Sequence, residues 1–165
     1  MTDLFDNELR LEDIDDRLYT QNDINGNAVY FLDREFKLPF TGVLLVKFNN
    51  RLESEAQYQN GRKNGIENVY NSAGILEQTS EYRGNVIFGV SKEFDAEGIV
   101  MISSIVYNND YLRTVEMVKG KIGETQTYNG KYGEGLPAYL QNLIKLSNED
   151  LFHYSFKSQN PYLNL

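Results

Sequence analysis

The sequence predicts an all-β protein: an antiparallel meander of β-hairpin repeats with a short C-terminal helix. Three observations carry this. Residues Tyr58–Gly74 and Tyr82–Gly98 repeat one aromatic and glycine pattern 24 residues apart: Tyr58, Gly65, Tyr70, Gly74, then Tyr82, Gly89, Phe94, Gly98, with a last aromatic at Tyr107. Each unit is too short for a pair of helices and is rich in alternating strand residues, as in Leu76–Tyr82. Turn clusters punctuate the units at Asn60-Gly61, Asn71–Gly74, Gly84-Asn85 and Asp95–Gly98. Each repeat therefore reads as one hairpin. Glycine is expected where turns need positive φ, and aromatics where rings line one face of the sheet.

A degenerate copy precedes these two, with Gly42, Phe48 and Leu52 leading to Tyr58, and Asn49-Asn50-Arg51 in place of a glycine turn. Three segments follow: an acidic N-terminal segment 1–27, the hairpin repeats 28–107, and a degenerate region 108–165. In the last, strands are expected at Tyr111–Met117 and Thr125–Tyr128, separated by a Lys119–Gly123 turn. Leu136, Tyr139, Leu140, Leu143 and Ile144 have helical spacing, with Pro137 near the start, so a helix capping the last hairpin is expected. Phe152, Tyr154, Phe156 and Tyr162 suggest a final strand or a packed tail. Leu11, Ile14 and Leu18 allow either a short amphipathic helix or an extended segment.

Alternation within the strands places Glu53, Glu55, Glu77 and Glu81 on one face, on strands about 10 Å apart. Tyr82 to Tyr107 spans 25 residues rather than 24, which predicts a bulge between Ile99 and Val106 to preserve facing.

Charge narrows the partners. The 165 residues carry a net charge of −8, and ten carboxylates against three arginines place −7 of it in residues 1–35. Nucleic acid and anionic lipid are poor partners for such a chain. A basic protein partner is permitted, with Glu12, Asp13, Asp15 and Asp16 in the N-terminal segment and Glu53, Glu55, Glu77 and Glu81 on the sheet as candidate contacts. For both groups a merely solvated acidic surface is the competing reading. Pairing of exposed sheet edges into a homodimer is a further option. The polar, acidic opening and the lack of any long apolar run predict a soluble, cytoplasmic protein without membrane insertion.

Catalytic and metal motifs are not evident. Cysteine is absent, which excludes thiolate chemistry and disulfides, and His153 is the sole histidine, in an apolar stretch that favours a packing role. Asp23-Ile-Asn25-Gly26 lacks the carboxylates of a calcium loop at its first and last positions and reads as a turn. The glycines around Gly120 and Gly130 lack the spacing of a phosphate or dinucleotide loop. No enzyme, no cofactor and no metal site is expected.

With Tyr30, Pro39-Phe40-Thr41-Gly42 and Tyr58-Gln-Asn-Gly61-Arg-Lys-Asn-Gly65 laid out in order, the chain resembles the MORN-repeat variant family, and within it the bacterial YwqK-type antitoxins of toxin–antitoxin systems. The resemblance covers residues 28–107. It departs from the pattern at Arg83-Gly84-Asn85, where Asn-Gly is usual, and beyond Tyr107. It implies a rigid hairpin sheet that binds protein, with no catalytic residues, and a role as an antitoxin or immunity protein that neutralises a toxin, a basic one among the options, by occlusion. The alternative is a structural scaffold module making protein or membrane-peripheral contacts; the acidic composition argues against the latter.

Overall fold

In the computed structural model, which describes residues 8–156, the chain is a β-meander. Its strands are β1 (Arg10–Glu12), β2 (Tyr19–Asn22), β3 (Ala28–Phe31), β4 (Gly42–Phe48), β5 (Arg51–Gln59), β6 (Arg62–Tyr70), β7 (Leu76–Arg83), β8 (Val86–Phe94), β9 (Val100–Tyr107), β10 (Asp110–Val118) and β11 (Lys121–Gln126). Strands β4 to β11 pair in chain order, all antiparallel, and β1 adds to the β4 edge in parallel. The β2–β3 hairpin stands apart. Two short helices follow, α1 (Ala138–Ile144) and α2 (Asn148–Phe152).

Local chemistry explains the meander. Five of its connections are two-residue turns with both central residues at positive φ: Asn49-Asn50, Asn60-Gly61, Gly84-Asn85, Asn108-Asn109 and Lys119-Gly120. Such turns match the right-handed twist of paired strands, and Asn and Gly tolerate the conformation best. The longer connections use a side-chain cap instead. Asn71 Oδ1 accepts from the Ala73 and Ile75 amides, and Asp95 Oδ1 from those of Glu97 and Ile99. The Asp23 loop is built the same way, so it is a turn, with Arg62 bound to its carboxylate.

One recurrent glycine has a different reason from the one expected. Gly65 and Gly89 lie inside β6 and β8, away from the turns. Opposite each, the pairing register slips by two residues, and a side chain fills the slip: Gln57 Oε1 accepts from the Ile66 amide, and Glu81 Oε2 from the Val90 amide. A Cβ on Gly65 would overlap Gln57 and one on Gly89 would overlap Glu81, and φ is +122° and +129° at these sites. The repeat therefore encodes a bulge with a carboxamide or carboxylate plug.

Bulges also correct the predicted facing. The ladder skips Glu53, Glu77 and Met101, each 24 residues apart, so the strand alternation that grouped Glu53 and Glu77 with Glu55 and Glu81 is broken. The bulge at Met101 falls inside the interval predicted, yet it belongs to the repeat and does not absorb the extra residue. Tyr82 pairs with Ile87 and Tyr107 with Phe88, so the two tyrosines face opposite sides and Val106 takes the place of Tyr82 in the third copy.

Each face of the sheet has its own cover. On one, α1 and α2 pack over β8–β11, burying Phe88, Val90, Ile105, Leu112, Val115, Tyr139, Leu140, Leu143, Leu151 and Phe152. On the other, the chain from Leu11 to Phe40 packs over the β4–β6 end, burying Leu11, Phe40, Leu44, Ala56 and Tyr58. The Pro39–Gly42 segment has structural duties here: Phe40 is fully buried, the Thr41 hydroxyl accepts the Asn60 amide, and Gly42 lets Leu9 approach the backbone.

Of the two forms expected for residues 11–18 the extended one is seen, a strand and turns, because Leu11 is drawn into pairing with β4. Other expectations at the ends of the chain are corrected. Strand β11 starts at Lys121, directly after a two-residue turn, so Lys121–Gly123 are strand residues. The helix lies flat on the sheet face rather than capping the last hairpin, and of the two forms expected after it the packed tail is seen, with Phe152 ending a second helix and Tyr154 and Phe156 packed beside it. Tyr162 lies outside the described residues.

Candidate functional site

The predicted carboxylates separate into three situations. Glu81 is fully buried; its carboxylate accepts from the Val90 amide at 2.6 Å, the Tyr139 hydroxyl at 2.9 Å and the Tyr154 hydroxyl at 3.2 Å. Glu55 is buried as well, holding Arg10 at 2.6 Å and the Tyr70 hydroxyl at 2.6 Å. Both belong to the interior, because the alternation predicted as solvent-facing is the side on which the helices lie over Glu81 and the Arg10 side chain reaches Glu55. Glu53 and Glu77 sit at bulges near the long hairpin ends, and Arg51 pairs with Glu53. In the N-terminal segment, Glu12 binds Lys47 at 2.6 Å, and Arg17 hydrogen bonds hold the Asp15 carboxyl down at about 2. Asp13 and Asp16 remain exposed. His153 is also at the surface, 3.6 Å from Glu149, rather than packed.

The helix face is polar where it matters. Lys92 Nζ donates to the Phe152 and Tyr154 carbonyls at 2.8 and 2.7 Å, Ser103 to the Leu151 carbonyl, and Arg113 to the Ile144 and Leu146 carbonyls and to Asn148 and Glu124. Cations thus sit at the C-terminal ends of α1 and α2, where orphan carbonyls and the helix dipole favour them. Burial pushes the tyrosine hydroxyls at positions 139 and 154 above their ordinary range, and the adjoining Glu81 carboxylate adds to it. These groups are hydrogen-bonded under the helices, so their role is to dock residues 133–156.

Lys92 makes that docking pH-dependent. Burial lowers its ammonium pKa to about 8, against 10.5 in an unfolded chain. Between these values the unfolded state binds more protons, so stability rises with pH through this window. Above about 10 the buried tyrosines oppose it, since they ionise only on unfolding. Urea denaturation across pH 7–11 is expected to show a maximum near pH 9–10, and Lys92→Met is expected to abolish the rise from pH 8. A wild-type profile flat from pH 7 to 10 would contradict this account.

Beyond the N-terminal cover no other described element packs on the second face, whose central residues Ser80, Ser91, Ser104 and Val106 are nonetheless buried among their neighbours. A single cross-strand row runs over it: Leu11, Leu44, Ala56, Glu67, Ser80, Ser91, Ser104, Thr114 and Gln126, each opposite the next. The first three are apolar and lie under residues 11–40. The hydroxyl members bond one another, Ser80 to Ser91 at 2.7 Å and Ser104 to Thr114 at 3.0 Å. Two ladder steps away along the strands, Tyr82, Val106 and Tyr111 stand on one side, the last beyond the skipped Leu112, and Gln78, Glu93, Ile102 and Glu116 on the other. Tyr111, Met101 and Ile99 are exposed. Glu67 binds Lys63 at 2.6 Å, and the Lys63 ammonium lies 4.5 Å from the Tyr82 ring centre. Burial, with Glu67 beside it, raises the Tyr82 pKa. The two cations carried by β8 and β10, Lys92 and Arg113, both point to the helix side.

Sequence reasoning missed this row. Counting back from the Gly84-Asn85 turn sets Ser80 opposite Gly89, and only the two-residue slip at Gly89 brings Ser91 there. The slip was signalled by the acidic residue preceding Tyr82 and the glycine eight residues after it.

Among the described residues no group of three or more His, Cys, Asp or Glu is placed to hold a metal ion. No helix there is long and apolar enough to cross a membrane. No family model matches the chain, and no curated protein matches it. Among solved structures it is similar to an S. aureus TarM mutant crystallised with Fondaparinux, alpha-GlcNAc-glycerol and UDP, at 12% identity and a TM-score of 0.23. The match covers 66% of this chain and 21% of that one, a likeness too slight to carry fold or function.

Proposed function

We propose that the protein is a non-enzymatic binding module of the antitoxin or immunity kind, which neutralises a basic protein partner by covering it. The observation that supports this best is the face of β7–β10 away from the helices, on which no described element packs: Glu93 and Glu116 flank Ile102 there, exposed Tyr111 lies across the hydroxyl row from them, and Lys92 and Arg113 are engaged on the opposite side. Charged residues bordering an apolar and aromatic patch give fast, steered association and a desolvated centre. The N-terminal cover lies on the same face, so Asp13 and Asp16 extend the acidic surface. A sheet tied together by five tight turns changes little on binding, which suits occlusion. The resemblance of residues 28–107 to YwqK-type antitoxins agrees with this reading.

The test is a tagged pull-down from the source cell, including the products of adjacent genes, with wild type, Glu93→Lys/Glu116→Lys and Asp13→Asn/Asp16→Asn. One stoichiometric basic partner is expected, inhibited in its own activity on binding. Its association rate should fall at least tenfold with either variant or with high salt. Retention of no partner, or of one whose activity is unchanged, would end the antitoxin reading.

A further inference from the structure

The chain treats the two edges of its large sheet differently. At one, β1 pairs with β4 and the N-terminal cover packs beside it. At the other, β11 ends the strand order with no further neighbour. After Gln126 the chain turns back toward the β9–β10 turn, where Lys131 and the Tyr132 hydroxyl bind Asp110, so it leaves this edge uncovered. Register says which groups the edge offers. Lys121 follows a two-residue turn and pairs with Val118, so these two exchange both main-chain hydrogen bonds, and Gly123 does the same with Glu116. Ile122 and Glu124 alternate with them, and their N–H and C=O groups point away from β10. No described residue takes up these four groups. Nothing inside the chain asks for glycine at position 123 either: its φ lies outside the left-handed region, and a Cβ there would meet nothing within 4 Å. Glycine in a strand interior weakens the strand, and it commonly marks the close approach of another backbone.

We infer that the β11 edge pairs antiparallel with β11 of a second copy, about a twofold axis through Gly123. In this register Ile122 lies opposite Glu124 of the second copy and Glu124 opposite its Ile122, so both outward-facing residues of each strand are used and four main-chain hydrogen bonds form. Gly123 meets its own equivalent at the close pair between them. Lys121 lies opposite Thr125, whose hydroxyl donates to Glu116 at 2.9 Å, so the ammonium approaches an acid of the other copy. Each Glu124 keeps Arg113 of its own chain. A register centred on Glu124 would set that carboxylate against its own equivalent, and one centred on Ile122 would place Glu124 opposite Gly120, beyond the strand. Net charge does not oppose the contact at short range. Of the −8, −7 lies in residues 1–35, whose described part sits at the β4 end, seven strands or about 34 Å from β11. That is several Debye lengths at physiological salt. A foreign strand has no comparable claim, since β11 offers it one lysine and one glutamate and thus no charge bias. An axis normal to the sheet puts both helix layers on one side, and the two Glu93 and Glu116 faces side by side on the other.

The test is sedimentation of the full-length protein from micromolar to millimolar concentration, with hydrogen exchange read at single amides. Wild type should pass from monomer to dimer, and the Ile122 and Glu124 amides should exchange about tenfold more slowly in the dimer. Gly123→Lys and Gly123→Glu each set like charges against each other across the axis, so each alone should stay monomeric, with an unchanged melting temperature at low concentration. Because residue 123 meets itself, an equimolar mixture of the two variants should recover a dimer. A wild type that stays monomeric throughout, variants that dimerise as well as wild type, or a mixture that stays monomeric would each overturn the inference. Slowed exchange at β1 instead of β11 would do the same. Dimer and partner capture fail separately: a monomeric wild type that still retains and inhibits a basic partner leaves the binding function standing.

Discussion

Gly89→Ala is expected to lower the melting temperature by about 10 °C, whereas Gly74→Ala should lower it by only a few degrees. At Gly74 φ is +77°, near the left-handed region that alanine tolerates at roughly 1 kcal/mol, whereas +129° at Gly89 is open essentially to glycine alone, so backbone strain already separates the two. What the new methyl group meets widens the difference. Around Gly74 there is nothing within 4 Å, while at Gly89 the methyl overlaps the Glu81 carboxylate that plugs the bulge. Glu81 cannot retreat, because it is fully buried and tied to the Val90 amide and to the Tyr139 and Tyr154 hydroxyls. Displacing it breaks a charge-assisted bond and leaves polar groups unpaired in the interior, on the order of 3 kcal/mol in total. In a domain of this size each kcal/mol is worth about 2–4 °C. Equal losses in the two variants, read by calorimetry, would show that the plug does not constrain Gly89.

Arg113→Met should be costlier still and should act at a distance in sequence. The guanidinium is buried on β10 and reaches Glu124 on β11, the Ile144 and Leu146 carbonyls that end α1, and Asn148 at the start of α2. Methionine matches its stem in volume but supplies no donors. The exposed ends of the two helices would lose their partners, and Glu124 would lose the cation beside it. Removing one member of such a buried network costs about 3–5 kcal/mol. The meander from β4 to β9 holds itself by strand pairing, so the expected result is partial: amide exchange in Ala138–Phe152 accelerates at least a hundredfold, while β5–β8 keep most of their protection. Uniform acceleration across both regions would mean that the helices and the sheet unfold as one unit, and Arg113 would then be a global rather than a local clamp.

Much of this fold was legible as pattern. The 24-residue spacing of Tyr58 and Tyr82 and the Asn-Gly, Gly-Asn and Asn71–Gly74 turns are local signals, because a turn's φ is set by the residues in it. The helical spacing of Leu136, Tyr139, Leu140 and Leu143 was legible for the same reason, and all four are buried. Facing was not legible beyond the first bulge. Alternation is a strict period of two, and one slipped residue reverses every later assignment. That is why Glu53 and Glu77 were grouped with Glu55 and Glu81, and why Tyr107 was expected to follow Tyr82.

The candidate site fared worse than the fold, for a reason visible in particular residues. Carboxylates were read as exposed because carboxylates usually are, yet Glu81 and Glu55 are interior groups paired with hydroxyls and an arginine from other parts of the chain. Their partners, at separations of 15 to 73 residues, cannot be read from local spacing. Conversely Ser80, Ser91, Ser104 and Thr114 look unremarkable one at a time and become a feature only as a row.

By itself the sequence determined the hairpin meander, its turns, the amphipathic helix after residue 136 and the acidic balance of the chain. These follow from φ preferences, periodicity and charge, which act over a few residues or add up without regard to position. Only the tertiary structure decided which carboxylates are buried, which face the helices cover and which serines and threonine line up as a buried hydroxyl row. Those depend on register across strands, and register is settled by bulges and by contacts between residues far apart in the chain.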